Sequence, residues 1–152
     1  MTKHNHALCI NDAMSEAEAL CSQRGARFTP LRKNVLELIW QSHKAVKAYD
    51  LIAALSEKEG SQIKPPTVYR SLDFLIEEGF VHKIESLNAY VGCPHPSEGH
   101  VGYFMICDAC ETVFEMDNPV IGRSVADAAQ KAHFKITEQI VEVHGRCQNC
   151  AA

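Results

Sequence analysis

Apolar residues recur at helical spacing four times in the first half of the chain. From Asp12 to Arg24 they are Ala13, Ala17, Leu20 and Cys21, and Gly25 ends the run where a C-cap belongs. Cys21 lies on that apolar side and reads as a small buried side chain. In RFTPLRKNVLELIWQSH, Thr29 suits an N-cap, Pro30 suits the first helical position, and Leu31, Val35, Leu38 and Ile39 make one stripe. A third helix is expected from Tyr49 to Glu59, with Leu51, Ile52 and Leu55 inward and Gly60 closing it. In KPPTVYRSLDFLIEEGFVHKI the paired prolines restrict the approach, Thr67 is the expected cap and Gly79 terminates after Glu78. Val68, Leu72, Leu75 and Ile76 share its inner face, which leaves Tyr69 and Arg70 outside, in the expected first turn.

The pattern then changes from a period near 3.6 to a period of two. FVHKIES and NAYVG alternate around a short Leu87-Asn88 turn and predict a two-stranded wing. Helices followed by a wing make a winged helix-turn-helix. Further on, Val101 to Ile106 and Glu111 to Met116 read as strands around a Cys107–Cys110 turn. Pro119 opens a helix reaching about His133, with Val120, Ile121, Val125, Ala128, Ala129 and Ala132 on its apolar side. Lys135 to His144 alternates loosely through Ile136, Ile140, Val141 and Val143, as a buried strand would. The expected class is α+β: an N-terminal winged helix-turn-helix domain over residues 1–85, a wing end and hinge over 86–93, and a small α/β dimerisation domain over 94–152.

Composition adds a few constraints. An apolar content of 46% over 152 residues is ordinary for a folded protein. No apolar run approaches twenty residues, and the N-terminus lacks the charged-then-apolar order of a signal peptide, so the expected compartment is the cytoplasm. The formal charge of −4 argues at first against a nucleic-acid partner. The excess is uneven, however. Residues 1–85 hold eleven basic and eleven acidic side chains, and residues 86–152 hold four and eight.

The fourth helix carries the nucleic-acid reading. A recognition helix offers residues near its N-terminus to a major groove; Arg70 suits guanine O6 and N7, and the Tyr69 ring suits a thymine methyl. Arg27, Arg32 and Lys33 cluster at the start of the second helix, where cations do not favour the dipole. An anionic partner there would account for them, as would plain solvation.

Seven cysteines in a reducing compartment are better read as metal ligands than as disulfides. Cys107/Cys110 and Cys147/Cys150 are two CxxC pairs with 36 residues between them, a spacing suited to tetrahedral zinc. A thioredoxin-like motif would place its CxxC ahead of a helix, whereas this first pair joins two strands. A second set of donors comprises His82, Cys93, His95, His100, Glu115, His133 and His144. One ion on His82, Cys93, His100 and Glu115 would tie the wing to the second half, with His95 and His144 as competing donors. Mixed nitrogen, sulfur and oxygen ligands with a single thiolate suit exchangeable zinc. His4, His6 and Cys9 form a third group, near a terminus that reads as a frayed tail over residues 1–11.

RFTPLRKNVLELI, AYDLIAAL, KPPTVYRSLDFLIEEGFVHKIES, NAYVGC, FMICDACETVFE and HGRCQNC together resemble the Fur family of metal-responsive transcriptional repressors, and within it the zinc-sensing branch. The resemblance runs from about Ala13 to Cys150. It implies a winged-helix domain, a hinge and a dimerisation domain, and a dimer that binds palindromic double-stranded operator DNA and represses zinc-uptake genes. It further implies two zinc ions per subunit, a structural ion on Cys107, Cys110, Cys147 and Cys150 and a regulatory ion on His82, Cys93, His100 and Glu115. Tyr69 and Arg70 fall where the family reads bases; Lys64, Tyr49, Arg27 and Arg32 match positions near the DNA backbone. The histidine-rich run of the iron-sensing branch is absent ahead of the first CxxC, where PHPSEGHVGYFMIC stands. A regulator sensing iron, manganese or nickel, and a zinc buffer without specific DNA affinity, are the alternatives. A zinc hydrolase needs an open coordination position and a nearby general base, and no motif supplies that base.

Overall fold

A computed structural model describes residues 6–151 of the chain. It contains α1 (His6–Arg24), α2 (Pro30–Trp40), β1 (Val46–Lys47), α3 (Ala48–Glu59), α4 (Pro65–Glu77), β2 (Val81–Ile84), β3 (Ala89–Gly92), β4 (Tyr103–Cys107), β5 (Val113–Glu115), α5 (Pro119–Lys131) and β6 (Val141–Gly145). These form two compact units, one ending at His100 and the other beginning at Val101. Among the described residues no helix is long and apolar enough to cross a membrane.

The first unit has the winged-helix arrangement. Ala17 and Cys21 of α1, Val35, Leu36 and Ile39 of α2, Leu51 and Leu55 of α3, and Val68, Leu72 and Leu75 of α4 share one core with Phe80, Val81 and Tyr90 of the wing. Each stripe reaches that core because the helix ends are defined locally. Thr29 Oγ1 accepts from the Arg32 N–H at 3.4 Å, and Gly60 closes α3 at φ 65°. The wing is a three-stranded antiparallel sheet in the order β1-β3-β2, with His82 opposite Val91 and Val81 opposite Gly92. Its turn is a 3₁₀ segment, Glu85–Leu87, closed by Asn88 in the left-handed region.

Several boundaries differ from expectation. α1 begins at His6, so residues 6–11 are helical and not a frayed tail; His4 lies outside the described residues. His6 is held by its Nε2 against the Gln41 carbonyl at 2.9 Å. α4 starts at Pro65 with both prolines in its first positions, and its N-cap is Lys64, not Thr67. Tyr69 and Arg70 consequently fall in the second turn. Ile76, expected inside, is exposed. β1 carried no periodic signal.

The second unit is a three-stranded sheet in the order β5-β4-β6, antiparallel between β4 and β5 and parallel between β4 and β6. Asn118 caps α5 by accepting from the Val120 N–H at 3.0 Å. Packing at the Tyr103 hydroxyl is close: a Cβ at Gly122 would lie 2.8 Å from its oxygen, and Gln139 donates to that oxygen at 3.2 Å. No residue of α5 is buried, against the expectation of an inward apolar side. The strand expected from Lys135 narrows to Val141–Gly145, with Ile136 and Ile140 exposed.

Candidate metal centres and nucleic-acid face

Among the described residues the two CxxC pairs meet. One ligand atom from each of Cys107, Cys110, Cys147 and Cys150 lies within 4.8 Å of the others, a grouping that one ion can span. The sheet brings this about. Cys107 ends β4 opposite Gly145 of the parallel β6, so the turn after β4 and the segment after β6 emerge side by side. The Asp108 N–H donates to the Gly145 carbonyl at 2.8 Å, and His144 Nδ1 lies 2.9 Å from Asp108 Oδ1.

The donor set is prepared for a cation. The Cys147 N–H donates to Cys107 Sγ at 3.3 Å and, with the Cys110 N–H, holds the Cys107 thiol down at about 6 from its ordinary 9.0. Cys110 is also lowered, first by the Thr112 hydroxyl 3.2 Å away. Cys150 is pushed up to about 12, first by its hydrogen bond with Cys147. A divalent cation bound here would take the place of the thiol protons. The four thiols fit zinc as a closed site.

In the first unit, His82, Cys93 and His100 offer ligand atoms within 4.8 Å of one another. Cys93 Sγ is 3.8 Å from His100 Nε2, and the His82 and His100 rings are 5.4 Å apart between centroids. His82 comes from β2. Cys93 follows β3 and is buried, its N–H donating to the Phe80 carbonyl at 2.9 Å. His100 returns through a loop whose Pro96 is buried. His95, on the same loop, is exposed and stands outside this group; His133 and His144 are exposed residues of the second unit. Glu115 is a half-buried residue of β5 in the second unit.

On the nucleic-acid face, Tyr69 and Arg70 are exposed on α4, opposite the buried Val68 and Leu72. Tyr49 is 79% exposed at the start of α3, a large apolar cost for a ring with no partner to cover. Lys64 and Arg27 are exposed as well. Arg32 differs. It is half-buried, its guanidinium stands 3.7 Å from the centre of the Phe74 ring, and it donates to the Arg27 carbonyl. The sequence carried no sign of this stacking, which joins α2 to α4.

Comparison with known proteins finds relatives over nearly the whole chain. The "Zinc uptake regulation protein" of Escherichia coli (strain K12) is 42% identical over 140 residues, covering 91% of this chain and 81% of that one. A solved zinc uptake regulator complexed with zinc and DNA matches with a TM-score of 0.87 at 41% identity, covering 92% of this chain and 93% of that one. Holo XcZur matches with a TM-score of 0.85 at 44% identity, covering 93% and 98%. The model of the ferric uptake regulator family matches residues 23–144. On the strength of that match and of these relatives, the chain belongs to the ferric uptake regulator family.

Proposed function

We propose that this protein is a zinc-dependent transcriptional repressor that binds a palindromic operator as a homodimer and turns off zinc-uptake genes when zinc is plentiful. The observation that carries the proposal is the convergence of His82, Cys93 and His100 at the end of the wing that follows the reading helix. The likeness to a regulator solved with zinc and DNA supports it.

Two zinc ions per subunit have distinct roles. Cys107, Cys110, Cys147 and Cys150 hold the structural ion. His82, Cys93 and His100 hold the regulatory ion, with Glu115 as the fourth ligand that the family resemblance implies. Two imidazoles, one thiolate and one carboxylate make a harder, more exchangeable site than four thiolates. Bound zinc limits the orientations that the two reading heads of a dimer sample, and so favours the one that fits successive major grooves. Coupling of about 1–3 kcal/mol per site is typical of such switches.

The dimer reading rests on the second unit. Met105 is paired with Phe114 on one side and Val143 on the other, and all three are about half exposed. They form an apolar row across the sheet that a second copy would cover. On DNA, Arg70 and Tyr69 read bases while Lys64, Tyr49, Arg27 and Arg32 lie near the backbone. A protein of this kind is a cytoplasmic regulator and not an enzyme.

Gel-shift titration with and without zinc tests the reading. Wild type is expected to bind operator only with zinc, and His82→Ala to lose that dependence together with most of its affinity. Unchanged zinc-dependent binding by His82→Ala overturns it. Equal binding with iron, manganese or nickel at their cellular levels would favour a different metal. Zinc uptake without operator binding would make the protein a buffer.

A further inference from the structure

Gly92, beside the ligand Cys93, has an ordinary backbone conformation; the glycines at positive φ are Gly25, Gly60, Gly79 and Gly99. Its requirement is therefore for space and not for conformation. A Cβ built there would lie 2.3 Å from Trp40 Cε2, 2.5 Å from Nε1 and 2.8 Å from Cζ2. The indole thus rests directly on the backbone of β3. Any side chain at this position would force either the ring or the strand to move.

The strand has little room to move. Gly92 is paired with Val81, Val91 with His82, and the Cys93 N–H with the Phe80 carbonyl. On its other edge β3 is paired with β1 through Tyr90 and Val46. Trp40 is the last residue of α2, a helix anchored in the core by Val35, Leu36 and Ile39. The ring is accordingly a stop, carried by the reading domain, against the strand that leads into Cys93 and lies beside the strand bearing His82.

We infer that Trp40 and Gly92 form a positioning pair that sets Cys93 for the regulatory zinc. Trp40 acts by holding the ligand-bearing strand. The inference rests on the regulatory-site reading above. Contacts that orient metal ligands are worth about 10- to 100-fold in metal affinity, and this one falls at the lower end because it acts through the backbone. Trp40 is also the chain's single tryptophan, so its emission is a local probe of the site.

The test is zinc competition against a chelator on the full-length dimer, counting zinc per chain and following tryptophan emission. Gly92→Ala is expected to weaken the second zinc by about 10-fold while the first zinc is retained in full. Trp40→Leu alone is expected to weaken it several-fold. Gly92→Ala combined with Trp40→Leu, which makes room for the methyl group, is expected to be no worse than Gly92→Ala. Should Gly92→Ala not fold, Trp40→Phe reads the same contact from the other side, with a several-fold loss expected. Unchanged second-zinc affinity in Gly92→Ala or Trp40→Phe, or additive losses in the double variant, overturns the inference. Wild type that takes up no second zinc overturns the site reading itself, a failure seen without any variant.

Discussion

The two units solve the problem of stability in different ways. In the first, four helices and the wing close over a continuous core in which Val35, Leu55, Val68, Leu72 and Leu75 have no exposed surface. In the second, α5 is at most half-buried, and Tyr103, Phe104, Ile106 and Cys107 of one strand are the buried residues. A sheet-and-helix unit of about fifty residues is too small to be secure by apolar burial alone. Four thiols drawn together at the end of its sheet, and an apolar row left open on it, are the compensations. The donor clusters differ in the same sense: the second unit has an all-thiol group, and the first has one thiol and two imidazoles. Four thiols suit tight retention of zinc, and a mixed set suits exchange.

This contrast can be broken by mutation. Cys147→Ser should have the largest effect. A site of this kind contributes on the order of 10 kcal/mol, and the second unit should lose hydrogen-exchange protection in β4, β5 and β6 while α2 to α4 keep theirs. Simultaneous loss in both units would show that the first is not self-sufficient. Leu72→Ala is the reverse experiment. It should cost about 2–5 kcal/mol in the unfolding of the first unit, measured by denaturant titration, with zinc still held by the four cysteines.

Smaller effects distinguish roles on the reading face. Arg70→Ala should cost about 1–3 kcal/mol of operator affinity and relax the preference at one base position. A uniform loss on all DNA sequences would mark a phosphate contact instead. Arg32→Lys keeps the charge and removes the planar stack on Phe74. If stacking is its main role, operator affinity should fall by about 1 kcal/mol with the salt dependence unchanged. Full retention of affinity by the lysine would show that charge alone matters. Asn118→Ala should remove the α5 cap for about 1 kcal/mol, read as a lower melting temperature of the second unit with DNA affinity unaltered.

Much of the first unit was legible because its helices carry their own punctuation. Thr29-Pro30, Gly60 and Gly79 mark ends, and the stripes between them face the core. What escaped depended on tertiary contact. The first turn of α1 is held through His6 and the distant Gln41; β1 is two residues long and exists by pairing with β3. Thr67 looked like a cap because Ser and Thr favour that position, yet two prolines can occupy the first helical positions themselves. The four cysteines were legible from spacing alone. His100 could not be separated from His95 by spacing, since both lie on one loop; the fold of that loop around Pro96 distinguishes them. The second unit read less accurately because apolar residues that stay exposed on it look the same in sequence as residues that are buried.

The most direct test joins metal count to operator binding across a zinc-buffered series, with zinc per chain read by native mass spectrometry. At low free zinc the chain should retain one ion and leave operator unbound, and uptake of the second ion should coincide with binding. Operator binding by the one-zinc form, or loss of both ions together, would contradict the division of labour between the two centres.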